Sequence, residues 1–249
     1  DFFKFGAAFL WSGYPEQALP YLEQVLRQTP TNARVLVLVG QIHLQAGRAD
    51  AAERFYREAI TANESYAEAW SGLGDVFERR DDQAQAMSNY EKALALKPDM
   101  LYTLLNAGQA ADKLNQQGKA QEWYGRALQL DPQSAEAANG LGLALAKQGR
   151  TEEARKYFEQ AISARRDYSA AINNLGVLYL QQGKVNDAIA AFEYGMRMAP
   201  DADILYLNLG RTYTRLGKID QARQVMQQLL DRKPDNATAR HALQELNSR

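Results

Sequence analysis

Hydrophobic residues recur along this chain at the spacing of an amphipathic α-helix. Residues 67–80 place Trp70, Leu73 and Phe77 on one helical face, and residues 83–96 continue the same kind of spacing after a break. The break contains two aspartates, which favour a turn over a continued helix. The pattern therefore predicts a pair of helices joined by a short turn.

This pair repeats every 34 residues without insertion. The first helix of each repeat carries a glycine: Gly6, Gly40, Gly74, Gly108, Gly142, Gly176 and Gly210. The second helix carries an alanine: Ala18, Ala52, Ala86, Ala120, Ala154, Ala188 and Ala222. Five of the seven prolines share one further register, after the second helix. So regular a register predicts tandem two-helix units, and it places the strand-like run Val35–Val39 on a helix.

Two columns explain how each pair closes. Because Gly74 has no side chain, the second helix can approach the first closely at that position. Seven residues after each anchor glycine stands a residue that tolerates a left-handed backbone: Gly13, Gly47, Asp81, Asn115, Gly149, Gly183 and Gly217. We expect the first helix of each pair to end there.

The residues of the third repeat match the consensus of a known family. The matching positions are Trp70, Leu73, Gly74, Phe77, Ala86, Tyr90, Ala93 and Pro98. Together with the repeating columns, these residues resemble the tetratricopeptide repeat (TPR) family. The resemblance covers essentially the whole chain. The resemblance implies an all-α fold, a right-handed α-solenoid superhelix in one domain, with repeats 1–32, 33–66, 67–100, 101–134, 135–168, 169–202 and 203–236.

The two ends of the array differ in sequence. Residues 237–249 have one apolar stripe, as expected of a helix that caps the last repeat. At the other end, Phe2, Phe5 and Phe9 occupy core columns, whereas Phe3 and Trp11 point away from them. We expect Phe3 and Trp11 to form an edge that an upstream segment or a second copy covers.

Composition removes several functional classes. The net charge of −1 argues against nucleic-acid binding, and the absence of cysteine excludes a disulfide scaffold and a thiolate metal site. No apolar run approaches the length of a membrane span, so we expect no membrane insertion. We find no catalytic, metal-binding or cofactor-binding motif and expect none. Cytoplasmic and periplasmic locations are not distinguishable from the sequence.

In such an array the first helices line a concave groove, and off-stripe positions there present asparagines. They are Asn106, Asn139, Asn173, Asn174 and Asn208. An asparagine both donates and accepts, which suits the two edges of an extended peptide. The arrangement is similar to the asparagine ladder of O-linked N-acetylglucosamine transferase repeat arrays. The alternative is that these asparagines are simply solvated polar residues.

Cations share the same face. The predicted partner-binding surface therefore adds four cations and one glutamine to the asparagines: Lys113, Lys147, Arg211, Arg215 and Gln109. Cations could bind carboxylates of a ligand, although cations near a helix C-terminus also interact favourably with the helix dipole. Around the third repeat the same face becomes acidic, through Glu68, Asp75 and Glu78.

The sequence thus favours a non-catalytic scaffold whose groove binds another protein or an extended peptide. Two alternatives stay open. The chain could be the recognition arm of a larger enzyme, for example a glycosyltransferase, whose catalytic domain lies outside it. It could also be a self-assembling module that associates through its N-terminal edge.

Overall fold

The computed structural model describes residues 1–248, and within them it contains fifteen α-helices and no strand. The predicted all-α class is therefore confirmed. Residue 249, the last position of the predicted capping helix, lies outside the described residues. The helices predicted at 67–80 and 83–96 are observed at Ala67–Arg79 and Gln83–Leu96. The run Val35–Val39 is helical, as the register requires.

The chain folds into two compact units: unit 1 is Asp1–Leu130, and unit 2 begins at Asp131. Unit 1 contains α1 (Phe2–Trp11), α2 (Pro15–Gln28), α3 (Ala33–Gln45), α4 (Ala49–Ala62), α5 (Ala67–Arg79), α6 (Gln83–Leu96), α7 (Leu101–Lys113) and α8 (Gln117–Leu130). Unit 2 contains α9 (Ala135–Lys147), α10 (Thr151–Ala164), α11 (Ser169–Gln181), α12 (Val185–Met198), α13 (Asp203–Arg215), α14 (Ile219–Arg232) and α15 (Ala237–Asn247). Within each unit, every helix packs against the next one in sequence.

The turn inside each pair has the backbone that the sequence predicts. Five glycines of the turn column have φ between 72° and 78°, while Asp81 and Asn115 have φ of 61° and 56°. In the second pair, the amide of Arg48 donates to the carbonyl of His43 across 2.9 Å, which closes the end of α3. A left-handed residue at this point reverses the chain, so that the second helix returns along the first.

The anchor glycines lie where the two helices of a pair come closest. A Cβ added to Gly142 would lie 2.8 Å from the ring of Phe158, and one added to Gly74 would overlap the ring of Tyr90. All seven alanines of the second-helix column are fully buried. Small residues on both helices therefore let a large side chain, such as Tyr90, fill the interface between them.

The last helix covers the end of unit 2, as the sequence predicts. On α15, Ala239 and Leu246 are buried against a cluster that includes Met226 and Leu229 of α14. The guanidinium of Arg223 donates to the carbonyl of Leu246 across 2.7 Å. The apolar side of α14 is thereby shielded from water.

Candidate functional site

The first helices of unit 2 share one solvent-facing surface that carries polar residues. Helix α11 packs against both α9 and α13, so residues of all three helices lie side by side. We call the solvent-facing positions of these helices the first-helix surface of unit 2. Four of the predicted asparagines lie on it and are half-buried: Asn139, Asn173, Asn174 and Asn208.

These asparagines form two hydrogen-bonded pairs between neighbouring helices. Asn174 Nδ2 donates to Asn139 Oδ1 across 2.9 Å, and Asn208 Nδ2 donates to Asn173 Oδ1 across 2.6 Å. The two residues of each pair are 35 positions apart, one more than the repeat. Because an amide has two N–H donors and an oxygen acceptor, each pair still has an unused donor and acceptor to offer.

The predicted cations of unit 2 flank these pairs. Arg211 and Arg215 of α13 are exposed, and neither forms an ion pair with a carboxylate of residues 1–248. Lys147 at the end of α9 is exposed as well. The half-buried side chains of Leu180 and Leu207 line the same pocket as Asn208 and the two arginines.

The corresponding residues of unit 1 are organised around a carboxylate. Asn106 Nδ2 of α7 donates to Asp75 Oδ1 of α5 across 3.1 Å, and Tyr90 Oη donates to the same oxygen across 2.8 Å. Tyr90 Oη also lies 3.1 Å from Glu78 Oε2, and Lys113 Nζ lies 3.8 Å from the other oxygen of that carboxylate. Asn106 and Lys113 are thus held by acidic neighbours.

Burial raises the pKa of Asp75 from 3.8 to about 6, although the hydrogen bonds from Tyr90 and Asn106 oppose that shift. The nearby charge of Glu78 raises it further. The hydrogen-bonding role of Asp75 is not visible in the sequence, which shows only an acidic residue next to the anchor glycine. Gln109, at the equivalent position of α7, is exposed.

A second buried contact joins the same two helices. The hydroxyl groups of Ser71 and Thr103 lie 2.8 Å apart, and both side chains are buried. Polar pairs between successive first helices therefore occur in both units, although their chemistry changes from hydroxyl pairs to amide pairs. Sequence reasoning missed this pair, because Ser71 and Thr103 belong to different columns of the repeat.

The N-terminal edge differs from its prediction in detail. Trp11 is 98% exposed, whereas Phe3 is half-buried against the cluster of α1, α2 and α3, with the Arg34 guanidinium 5.0 Å from its ring. The expected core residues Phe2 and Phe5 are 42% and 57% exposed. Phe2, Phe5 and Trp11 are therefore the exposed aromatic residues of α1, and we call them the N-terminal edge.

Other chemistry is sparse in the described part of the chain. Within residues 1–248, no three His, Asp or Glu side chains are placed to share a metal ion. None of the helices described there is long and apolar enough to cross a membrane.

Comparison with known families gives two matches. The model described as the C-terminal domain of cilia and flagella-associated protein 70 matches residues 15–167. The model described as the tetratricopeptide repeat matches residues 145–195 and 179–246. Tetratricopeptide repeat protein 7B of Homo sapiens is 29% identical over 96 residues, which are 37% of this chain and only 11% of that protein.

Solved structures have the same fold. A tetratricopeptide repeat protein from Parabacteroides merdae superposes with a TM-score of 0.71 at 18% identity, covering 100% of this chain and 98% of its own. YrrB, described as a TPR protein with an unusual peptide-binding site, superposes with a TM-score of 0.66 at 22% identity, covering 74% of this chain and 95% of its own. At these identities the likeness establishes the fold alone.

Proposed function

Since this chain belongs to the tetratricopeptide repeat family, we propose that it is a non-catalytic scaffold that binds an extended segment of another protein. The binding site in this proposal is the first-helix surface of unit 2. Proteins built from stacked repeats typically use extended surfaces of this kind for recognition.

The observation that carries the proposal is the pair of amide bridges. Neighbouring helix axes are about 8–10 Å apart, and an extended peptide advances about 3.3 Å per residue, so it meets a new helix roughly every three residues. The bridges Asn139–Asn174 and Asn173–Asn208 follow that direction across three helices. Their spare donors and acceptors match the backbone groups of a peptide and make few demands on its side chains.

Cations next to the bridges add a preference for acidic partners. Arg211, Arg215 and Lys147 are exposed at one side of the asparagine pairs. In unit 1 we propose a separate and weaker contribution from Gln109 and Lys113, because Asn106 already donates to Asp75 and Lys113 lies 3.8 Å from a carboxylate oxygen of Glu78.

A peptide-display experiment tests this function. Random peptides of about twelve residues, long enough to cross three helices, are selected on the wild-type protein. We expect the double variant Asn174→Ala, Asn208→Ala to bind the selected peptides at least about tenfold more weakly, because both bridges are lost. Thermal melts check that the variant is folded.

The matched control is Asn186→Ala, which removes an exposed asparagine from the second helix α12. It should bind like the wild type. Full-strength binding by the double variant would contradict the assignment of the surface.

We also propose that two copies associate through the N-terminal edge, on the strength of its exposed aromatics. Phe2 and Phe5 are exposed on one face of α1, and Trp11 is almost fully exposed at the end of the helix; exposed apolar patches of this kind are typical of interaction sites. In sedimentation equilibrium, Phe5→Glu should lower the association constant, whereas Leu216→Glu, at an exposed leucine of unit 2, should not. A wild type that stays monomeric at high concentration would eliminate this second role.

A further inference from the structure

A pocket lies between α13 and α15 at the C-terminal end of the first-helix surface. Its volume is about 640 Å³, and it opens beside Asn208. Arg211 and Arg215 stand on its α13 side, while Leu180, Leu207 and Ala242 supply apolar lining. The pocket therefore has both positively charged and apolar lining residues.

Arg211 and Arg215 are distinguished by their shared position at this pocket. Some arginines of unit 2 have carboxylate partners, such as Arg155, which lies 2.6 Å from Glu159. Others, such as Arg197 and Arg232, form no ion pair with a carboxylate of residues 1–248. Arg211 and Arg215 have none among the described residues, and they face the same pocket one helical turn apart. Like charges at this spacing destabilise a helix, and an anion between them would relieve the repulsion.

The helix dipole explains only one of them. Arg215 is in the last turn of α13, where a cation is favourable. Arg211 lies outside that turn, because α13 ends four residues later. A ligand anion accounts for both residues together.

The rest of the pocket limits the ligand further. Asn208 Oδ1 accepts no hydrogen bond from the described chain and is placed to receive a peptide N–H, since only its Nδ2 is used, toward Asn173. Leu180 and Leu207 are half-buried and offer a contact for an apolar side chain. The single acidic group of the lining, Glu245, lies 3.8 Å from His241 on its own helix.

We propose that this pocket recognises a peptide carboxylate together with an adjacent apolar side chain. The carboxylate lies between Arg211 and Arg215, and the apolar side chain lies against Leu180 and Leu207. The inference rests on the proposed function, since it assigns a specificity to one end of the same surface. Charge complementarity selects an acidic peptide over a neutral or basic one.

The test uses the same random peptide library with two proteins: the wild type and the double variant Arg211→Gln, Arg215→Gln. Wild-type selection should enrich Asp or Glu next to Leu, Ile, Met or Phe. The enriched peptides, made synthetically, should bind the double variant about tenfold more weakly, since charge-assisted hydrogen bonds are lost. Exchanging their acidic residue for its amide should reduce binding to the wild type equally.

The control variant is Arg197→Gln, Arg232→Gln, which removes the same charge from exposed positions on α12 and α14. It should bind within about twofold of the wild type if long-range charge is not responsible. Peptides with free and with amidated C-termini separate a terminal carboxylate from an acidic side chain as the recognised group.

The outcomes separate the two proposals. The pocket assignment is wrong if the enriched peptides depend on Asn174 and Asn208 but lack an acidic residue, or if they bind the arginine variant normally. Either result leaves the proposed function standing. Acidic peptides that depend on the arginines and not on the asparagines would overturn the role of the asparagine pairs and leave the pocket assignment standing. A library without enriched peptides would overturn both.

Discussion

The protonation of Asp75 in unit 1 is linked to the free energy of unfolding. It accepts hydrogen bonds from Tyr90 and Asn106, yet burial raises its pKa from 3.8 to about 6. The folded protein therefore holds this proton more tightly than the unfolded chain does. The free energy of unfolding should fall as the pH rises from about 4 to about 6, because the charged carboxylate is the less stable buried form.

We expect Asp75→Asn to remove this dependence and to stabilise the protein near pH 7. The shift of about two pKa units corresponds to at most about 3 kcal/mol. Urea unfolding of wild type and variant at about pH 4 and about pH 7 measures the difference, while other carboxylates cancel between the two proteins.

A suitable control is Asp99→Asn, which neutralises an exposed aspartate of unit 1. It should keep the pH dependence of the wild type. If Asp75→Asn keeps it as well, Asp75 is not the source.

Local residue rules account for much of what the sequence predicted correctly. Asp81 and Asn115 adopt the left-handed backbone because a turn is needed at that register and their side chains tolerate it. The asparagine pairing was not predictable in the same way. It depends on how far one helix is displaced along its neighbour, and the repeat register gives the column of a residue but not its partner across the interface.

At the scale of the helix pair, the anchor glycine sets how closely the two helices approach. A methyl group at Gly74 would overlap the ring of Tyr90, whose hydroxyl is bound to Asp75 and Glu78. At Gly210 the added Cβ would meet only the terminal methyl of Met226, 2.5 Å away. A methionine end can rotate aside, whereas a fully buried ring that is also held at its hydroxyl cannot.

Gly74→Ala should therefore lower the free energy of unfolding by about 1–3 kcal/mol. Gly210→Ala should cost less, since the end of Met226 can rotate away from the new methyl group. The gain of about 1 kcal/mol in helix propensity applies to both variants. Chemical unfolding of the two variants gives the comparison. Equal losses, or a larger loss at Gly210, would mean that the pair interface tolerates displacement of the aromatic ring.

Helix pairs also show where prediction from sequence ends. The columns place Phe2 and Phe5 in the core because Leu36 and Val39 hold those positions in the next repeat, at 2% and 0% exposure. That inference assumes a preceding helix, which the described residues do not contain. The pocket beside Arg211 likewise depends on where α15 packs, and the residues of α15 show only that it has an apolar side.

At the scale of the whole chain, stability should not be uniform. In α1 the only buried residue is Gly6, whereas α3 buries seven residues, among them Leu36, Val39 and Ile42. Helix α1 therefore has little apolar burial to oppose its opening.

We expect hydrogen exchange to show this gradient directly. Amides of α1 should exchange much faster than those of α3 and α9, because α1 can open without unfolding the helices after it.

The same measurement over a range of protein concentrations tests the N-terminal edge. If a second copy covers Phe2, Phe5 and Trp11, protection of α1 should increase with concentration while that of α9 stays constant. Slow, concentration-independent exchange in α1 would show that this edge is stable on its own and needs no partner.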